Sequence, residues 1–193
     1  DGRPMEIIVE TAGENTEHAD VLELVAEHWR ALGIKLLTKP SQREVLRNRI
    51  FAGDTLMTIA KGIENGLPTA EMSPAPYAPT SQIHYQWPKW GQYYETKGEA
   101  GAPIDMDEAE RLFALFDARQ VDAETAERRK IWNEMLQIWS EGVYTLGLVA
   151  GVQQPVAVKP DLVNVPDQAL YNWDPGAHFG IYHPDTFWWR DGD

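Results

Sequence analysis

The stretch MEIIVETAGENTEHADVLELVAEHWRALGIKLLT, residues 5 to 38, decides the fold class. Met5 to Glu10 is β-rich and follows Pro4, which suits the start of a strand. A short loop, Thr11 to Asn15, leads to Thr16 as a candidate N-cap, with Glu17 and Asp20 in the first turn. Val21, Leu24, Val25, His28, Trp29 and Leu32 then recur at helical spacing, and Gly33 stands where a helix ends. Ile34 to Thr38 reads as a second strand. Working outward, Ser41 to Glu44 has the spacing of a capping box, the helix it opens runs to Ala52 before Gly53, and Thr55 to Ala60 reads as a third strand. Strand, helix, strand, helix, strand with short connections predicts an α/β fold on a small, mostly parallel sheet.

Beyond Lys61 this regularity stops for more than forty residues. The stretch is rich in proline, from Pro68 to Pro103, and in aromatic residues, from Tyr77 to Tyr94. A segment this aromatic is not of disordered composition, so it packs its rings on the domain or on a ligand. Trp87, Trp90, Tyr93 and Tyr94 are the candidates for a stacking surface, against the alternative of a satellite core under a long loop. Asp105 to Glu108 resembles a further helix start. A last helix, capped by Asp122, carries Ile131, Trp132, Met135, Leu136 and Trp139 on one face. The helix aromatics Trp29, Phe113, Phe116, Trp132 and Trp139 are read as core. Val143 to Val152 and Val156 to Val158 read as strands.

The chain of 193 residues carries 30 acidic and 17 basic side chains, a formal charge of −13. Such a surface repels phosphate backbones and anionic headgroups, so nucleic acid is not an expected partner. There is no cysteine, which removes disulfides, thiolate metal sites and Cys nucleophiles, and suits an oxidising compartment. No apolar run is long enough to span a bilayer. His178 and His183, with Asp174 and Asp185, have metal-ligand types, but the spacing matches no tight motif, and no metal or cofactor is expected. No phosphate loop or nucleophile elbow is present, and no catalytic residue is assigned. Glu64 and Asn65 follow the third strand, where α/β proteins place ligands. A carboxylate and an amide there suit an ammonium group and a backbone amide, although an ordinary Asn-Gly turn reads equally well.

Taken in order, the Gly2 to Ile7 strand, the helix ending Trp29-Arg-Ala-Leu-Gly-Ile34, and the Arg47-Asn-Arg-Ile-Phe-Ala-Gly-Asp54 segment resemble a known family. So do the Ile131-Trp132 helix, Tyr144-Thr-Leu-Gly-Leu-Val149, Pro155-Val-Ala-Val and Leu162-Val-Asn164. The resemblance is to the C-terminal half of periplasmic solute-binding proteins of the peptide, nickel and oligopeptide type, which serve ABC importers. It implies one lobe of a type II periplasmic-binding-protein-like fold. Residues 1–141 would form the second ligand-binding lobe and 142–193 a segment returning to a first lobe that this chain lacks. The chain would then be a fragment, its signal peptide lying outside it and its location periplasmic. Its partners would be a small peptide-like or sugar-like solute, the importer's membrane permease and the missing lobe, with a non-native homodimer of the fragment as a further expectation.

In peptide-binding members an acidic residue after the third strand pairs with the peptide's α-ammonium. Glu64, followed by Pro68-Thr69, is the nearest match by position. Peptide binders usually carry Asp there, and Lys61 nearby could itself pair with Glu64. The ligand-binding set is therefore Glu64, Asn65, Thr69, Trp87 and Trp90. The competing reading is a carbohydrate-active enzyme domain with an aromatic substrate platform and two working carboxylates.

Overall fold

A computed structural model describes residues 5–60, 73–121, 125–149, 153, 155–168 and 183–190. The chain divides into two compact units: Asp1–Lys61 with Ala78–Phe113, and Gly62–Tyr77 with Ala114–Asp193.

In the first unit, β1 (Met5–Ala12) and β2 (Ile34–Ser41) pair in parallel from Met5 opposite Ile34 to Ala12 opposite Ser41, with α1 (Thr16–Arg30) as the crossover. This is the expected βαβ unit, since a parallel pair needs a long connection and the helix supplies it. The helix start lies one residue before the expected Thr16 cap: Asn15 is the N-cap, and its side-chain oxygen accepts from the His18 amide at 3.2 Å. The buried side of α1 also differs, because Leu22 is its buried residue while Leu24 and Leu32 are exposed. β2 carries Pro40, which a strand at a sheet edge tolerates because no neighbour needs the missing N–H.

Next comes α2 (Arg43–Ala52). Gln42 is its N-cap and makes no side-chain cap bond, so the capping box expected at Ser41 does not form; Ser41 ends β2 instead. Gly53 closes the helix at φ 78°, the left-handed conformation glycine adopts freely. The third strand reduces to one parallel bridge between Glu10 and Thr58. The Glu10 amide donates to the Met57 carbonyl at 2.9 Å, and the Thr58 hydroxyl donates to the Glu10 carbonyl at 2.8 Å. Val9, Leu22, Leu46 and Ile50 are the buried apolar side chains of this βαβα segment.

The proline-rich stretch holds a helix that the sequence reading missed, α3 (Pro88–Glu95), with Pro88 at its first turn. The lost amide is one a helix start never uses, so proline begins this helix rather than breaking it.

In the second unit, a 3-10 turn over Ala75–Tyr77 places Tyr77 against α5 (Thr125–Gly142). Tyr77 meets Trp132 edge-on at 4.8 Å and Trp139 at 5.3 Å, and the Trp139 indole N–H donates to the Tyr77 carbonyl at 2.8 Å. Ile131, Trp132, Met135 and Trp139 are buried, as their spacing predicts. The helix α4 (Asp107–Val121) belongs to the first unit up to Phe113 and to the second from Ala114; Leu112, Leu115 and Phe116 on it are buried. The strand expected from Val143 is not formed among the described residues up to Val149. The same holds for 156–158; the short antiparallel pair β3 (Leu162–Val163) and β4 (Trp188–Trp189) lies further on. The expected cap Asp122 and the tail residues Asp174 and His178 fall outside the described residues.

Candidate functional site

Glu64, Asn65 and Thr69 also lie outside the described residues. The site is therefore built from the aromatic segment, where Trp87 and Trp90 can be placed.

Trp87 is the N-cap of α3 and adopts φ 55°, ψ 50°, a left-handed conformation that is rare for a bulky residue. It turns the chain sharply into Pro88, and Trp90 follows three residues on, over the same helical turn. Their indoles stack with centroids 5.7 Å apart and planes 29° from parallel. Both residues are half-buried.

The floor under α3 is tight. A Cβ on Gly91 would stand 2.2 Å from the Ser81 carbonyl oxygen, so only glycine lets the helix lie on the 81–83 turn. Glu95, at the end of α3, holds the same turn from the other side: it accepts from the Ser81 hydroxyl and, at 3.0 Å, from the Gln82 amide. His84 sits half-buried beside this carboxylate. Burial pushes its imidazole below the ordinary value of 6.5, and the charge of Glu95 opposes that shift.

After α3 the chain doubles back. The Thr96 hydroxyl donates to the Gln92 carbonyl at 2.8 Å and accepts from the Ala100 amide at 2.9 Å, fixing the turn. Gly98 (φ 90°) lies against the Tyr93 ring, and Gly101 (φ 88°) comes so close to the Lys89 carbonyl that a Cβ would stand 2.3 Å from it. The Ala102 amide then donates to that same carbonyl at 3.1 Å. These contacts bring Pro103 and Ile104 alongside α3.

The result is a groove of about 590 Å³ within the first unit. Trp90, Tyr93 and Tyr94 of α3 line one side, Pro103 and Ile104 the other, and Phe113 of α4 closes it, meeting Tyr94 edge-on at 5.1 Å. Lys97 and Glu110 are its charged lining residues. Trp90 belongs to the lining, whereas Trp87 supports it by stacking and is not part of the wall. Phe113 corrects the core assignment, being half-exposed in this groove. No sequence signal marks Phe113, Pro103 or Ile104 as lining, because their apposition depends on the glycine-permitted return of the chain at 98–101. Tyr77 resolves the other way and belongs to the core of the second unit.

A second charged cluster lies on β1. Glu10 is 4% exposed, and Arg49 of α2 grips its carboxylate with two bonds of 2.7 and 2.8 Å. Lys39 of β2 approaches at 3.3 Å. The Arg49 hydrogen bonds hold the Glu10 carboxyl below its ordinary 4.5, against the opposing effect of burial. Arg49 also donates to the Asp54 carbonyl at 3.1 Å. Every partner is satisfied within the unit, so the arrangement clamps β1, β2 and α2 together. Among the described residues no group of three or more His, Asp or Glu side chains could hold a metal ion.

No protein-family model matches the sequence, and no curated protein matches it. Among solved structures, the chain is similar to the oligopeptide-binding protein OppA, with a TM-score of 0.70 and 20% identity. The match covers 99% of this chain and 31% of OppA. It is also similar to NikA from Brucella suis, solved in complex with Fe(III)-EDTA, with a TM-score of 0.57 and 16% identity over 78% of this chain and 27% of NikA. The chain thus spans less than a third of the length of either protein. Its α/β fold, a small parallel sheet with packed helices, is similar to part of the fold of OppA and of NikA.

Proposed function

We propose that this chain is part of the solute-binding component of an ABC importer and contributes one wall of a ligand cleft. The observation that carries this reading is the likeness to OppA over 99% of the chain while spanning only 31% of OppA. The solute is a peptide or another small polar molecule, held between two lobes that close on it. Residues 1–141 supply the second lobe and 142–193 return to the first. Glu64 receives a ligand ammonium, Asn65 and Thr69 hydrogen-bond its backbone-like groups, and Trp87 and Trp90 give contact area. The protein works in the periplasm and delivers to a membrane permease. It does no chemistry on its solute, a reading supported by the likeness to binding proteins.

The test is a thermal-shift and tryptophan-fluorescence screen against peptides and metal chelates, with this chain alone and with the chain joined to its upstream sequence. The joined protein should gain several degrees of apparent stability with its solute, because a ligand that binds only the folded state stabilises it by mass action. Glu64→Gln should abolish most of that gain if the solute carries an ammonium. Equal affinity of the isolated chain and the joined protein for the same peptide or chelate would overturn the shared-cleft reading.

A further inference from the structure

The groove beside α3 lies wholly within the first unit and does not depend on a cleft between lobes. We propose that it is a binding site for organic cations, sharing Trp90 with the solute-contact residues proposed above and taking a quaternary or protonated ammonium carried on a small apolar body.

The walls are chiefly aromatic, from Trp90, Tyr93, Tyr94 and Phe113. A ring face carries negative quadrupole density, so it attracts a cation and repels a carboxylate; the apolar body of the ligand gains burial at the same time. Two cation–ring contacts among the described residues lie away from this groove, Arg119 over Trp132 and Lys159 over Trp189. Glu110 supplies a carboxylate in the lining; its amide donates to the Met106 carbonyl at 3.0 Å, and its side chain makes no ion pair or hydrogen bond among the described residues. The stretch from 95 to 110 holds six acids, Glu95, Glu99, Asp105, Asp107, Glu108 and Glu110, against Lys97 alone. The local field therefore favours a cation, and Lys97 is the one lining group that opposes it. The volume of about 590 Å³ falls within the range of small-molecule sites. The walls are also set before a ligand arrives, through the Thr96 hydrogen bonds and the close approaches at Gly98 and Gly101.

The signs of two charge substitutions separate this site from a merely greasy groove. Titration calorimetry on the 193-residue chain would use choline, benzyltrimethylammonium, the uncharged carbon isostere of choline in which tert-butyl replaces trimethylammonium, and cellobiose. Choline and benzyltrimethylammonium should bind saturably, with the isostere about tenfold weaker. Trp90→Ala should weaken both cations by about tenfold. Glu110→Gln should weaken them by about threefold and Lys97→Gln should tighten them by a similar factor, since both groups are exposed and screened. Both charge variants change exposed side chains and should keep the wild-type circular dichroism. The proposal is overturned by equal binding of choline and its isostere, by Glu110→Gln and Lys97→Gln acting in the same direction, by no saturable binding of either cation, or by cellobiose binding in their place.

Discussion

Glu10 shows how much one buried side chain can commit. Arg49 and Lys39 hold its carboxylate while its backbone carries the Thr58 bridge, so three other stretches of chain meet at one residue. Replacing Arg49 with Met leaves that carboxylate with Lys39 alone and should lower the urea midpoint. Arg49→Lys should recover little of the loss, because a point charge cannot reproduce the two-pronged grip. The pH dependence follows from the same residue and from His84. Both groups have folded values below their ordinary ones. Each therefore contributes stability that is complete above its unfolded value and fades as pH falls through its folded one. The His84 contribution begins to fade below about pH 6.5, and that of Glu10 below about pH 4.5. Melting temperature against pH should fall in two stages; His84→Gln should flatten the upper stage, and Glu10→Gln the lower. The pairing of Glu10 with Arg49 was not legible in the sequence: they lie 39 positions apart and no local spacing links one to the other.

At the scale of elements, the first half of the chain was readable because its signals are local. Periodicity gave β1, α1, β2 and α2 in order, and Gly53 marked an end that its positive φ explains. Thr55 to Ala60 has strand composition, but pairing is a property of neighbours, and only Thr58 bridges to β1. The helix α3 was hidden because Pro88 read as a breaker, and because nothing in a tryptophan signals that it will take a left-handed turn. Two of the four aromatics singled out for a stacking surface, Trp87 and Trp90, do stack, while Tyr93 and Tyr94 line the groove beside them. Glycine positions carry the sharpest element-scale prediction. Gly91→Ala would drive a methyl into the Ser81 backbone, and Gly101→Ala adds an unfavourable φ to a similar clash. Each should cost about 2–4 kcal/mol and reduce helical circular dichroism. Gly147→Ala, where a Cβ meets nothing within 4 Å, should be nearly silent in the same measurement.

At the scale of the molecule, the C-terminal part of the second unit exposes many apolar side chains. Leu146, Leu148, Val149, Val156 and Val158 are exposed, as are Trp188 and Trp189 of β4. The 143–149 and 156–158 stretches have strand composition, and among the described residues neither is paired in a sheet. Apolar, unpaired chain of this kind favours addition to another strand. Light scattering on the 193-residue chain should therefore show association rising with protein concentration, and Leu146→Lys with Leu148→Lys should reduce it. A monomer unchanged across the concentration range would show that these side chains are not sticky in solution. This surface was only half visible beforehand: the apolar composition was evident, but exposure is a matter of what else the chain folds against.

The Trp87–Trp90 stack also has an optical consequence. Two indoles 5.7 Å apart and 29° from coplanar have transitions that couple as excitons, adding a paired positive and negative band to the far-ultraviolet circular dichroism. That band reports the turn at Trp87, which brings the two indoles together. Phenylalanine at either position would erase it while leaving the helix intact. A single spectroscopic feature could thus follow the closing of this one turn during refolding, independently of the melting of the rest.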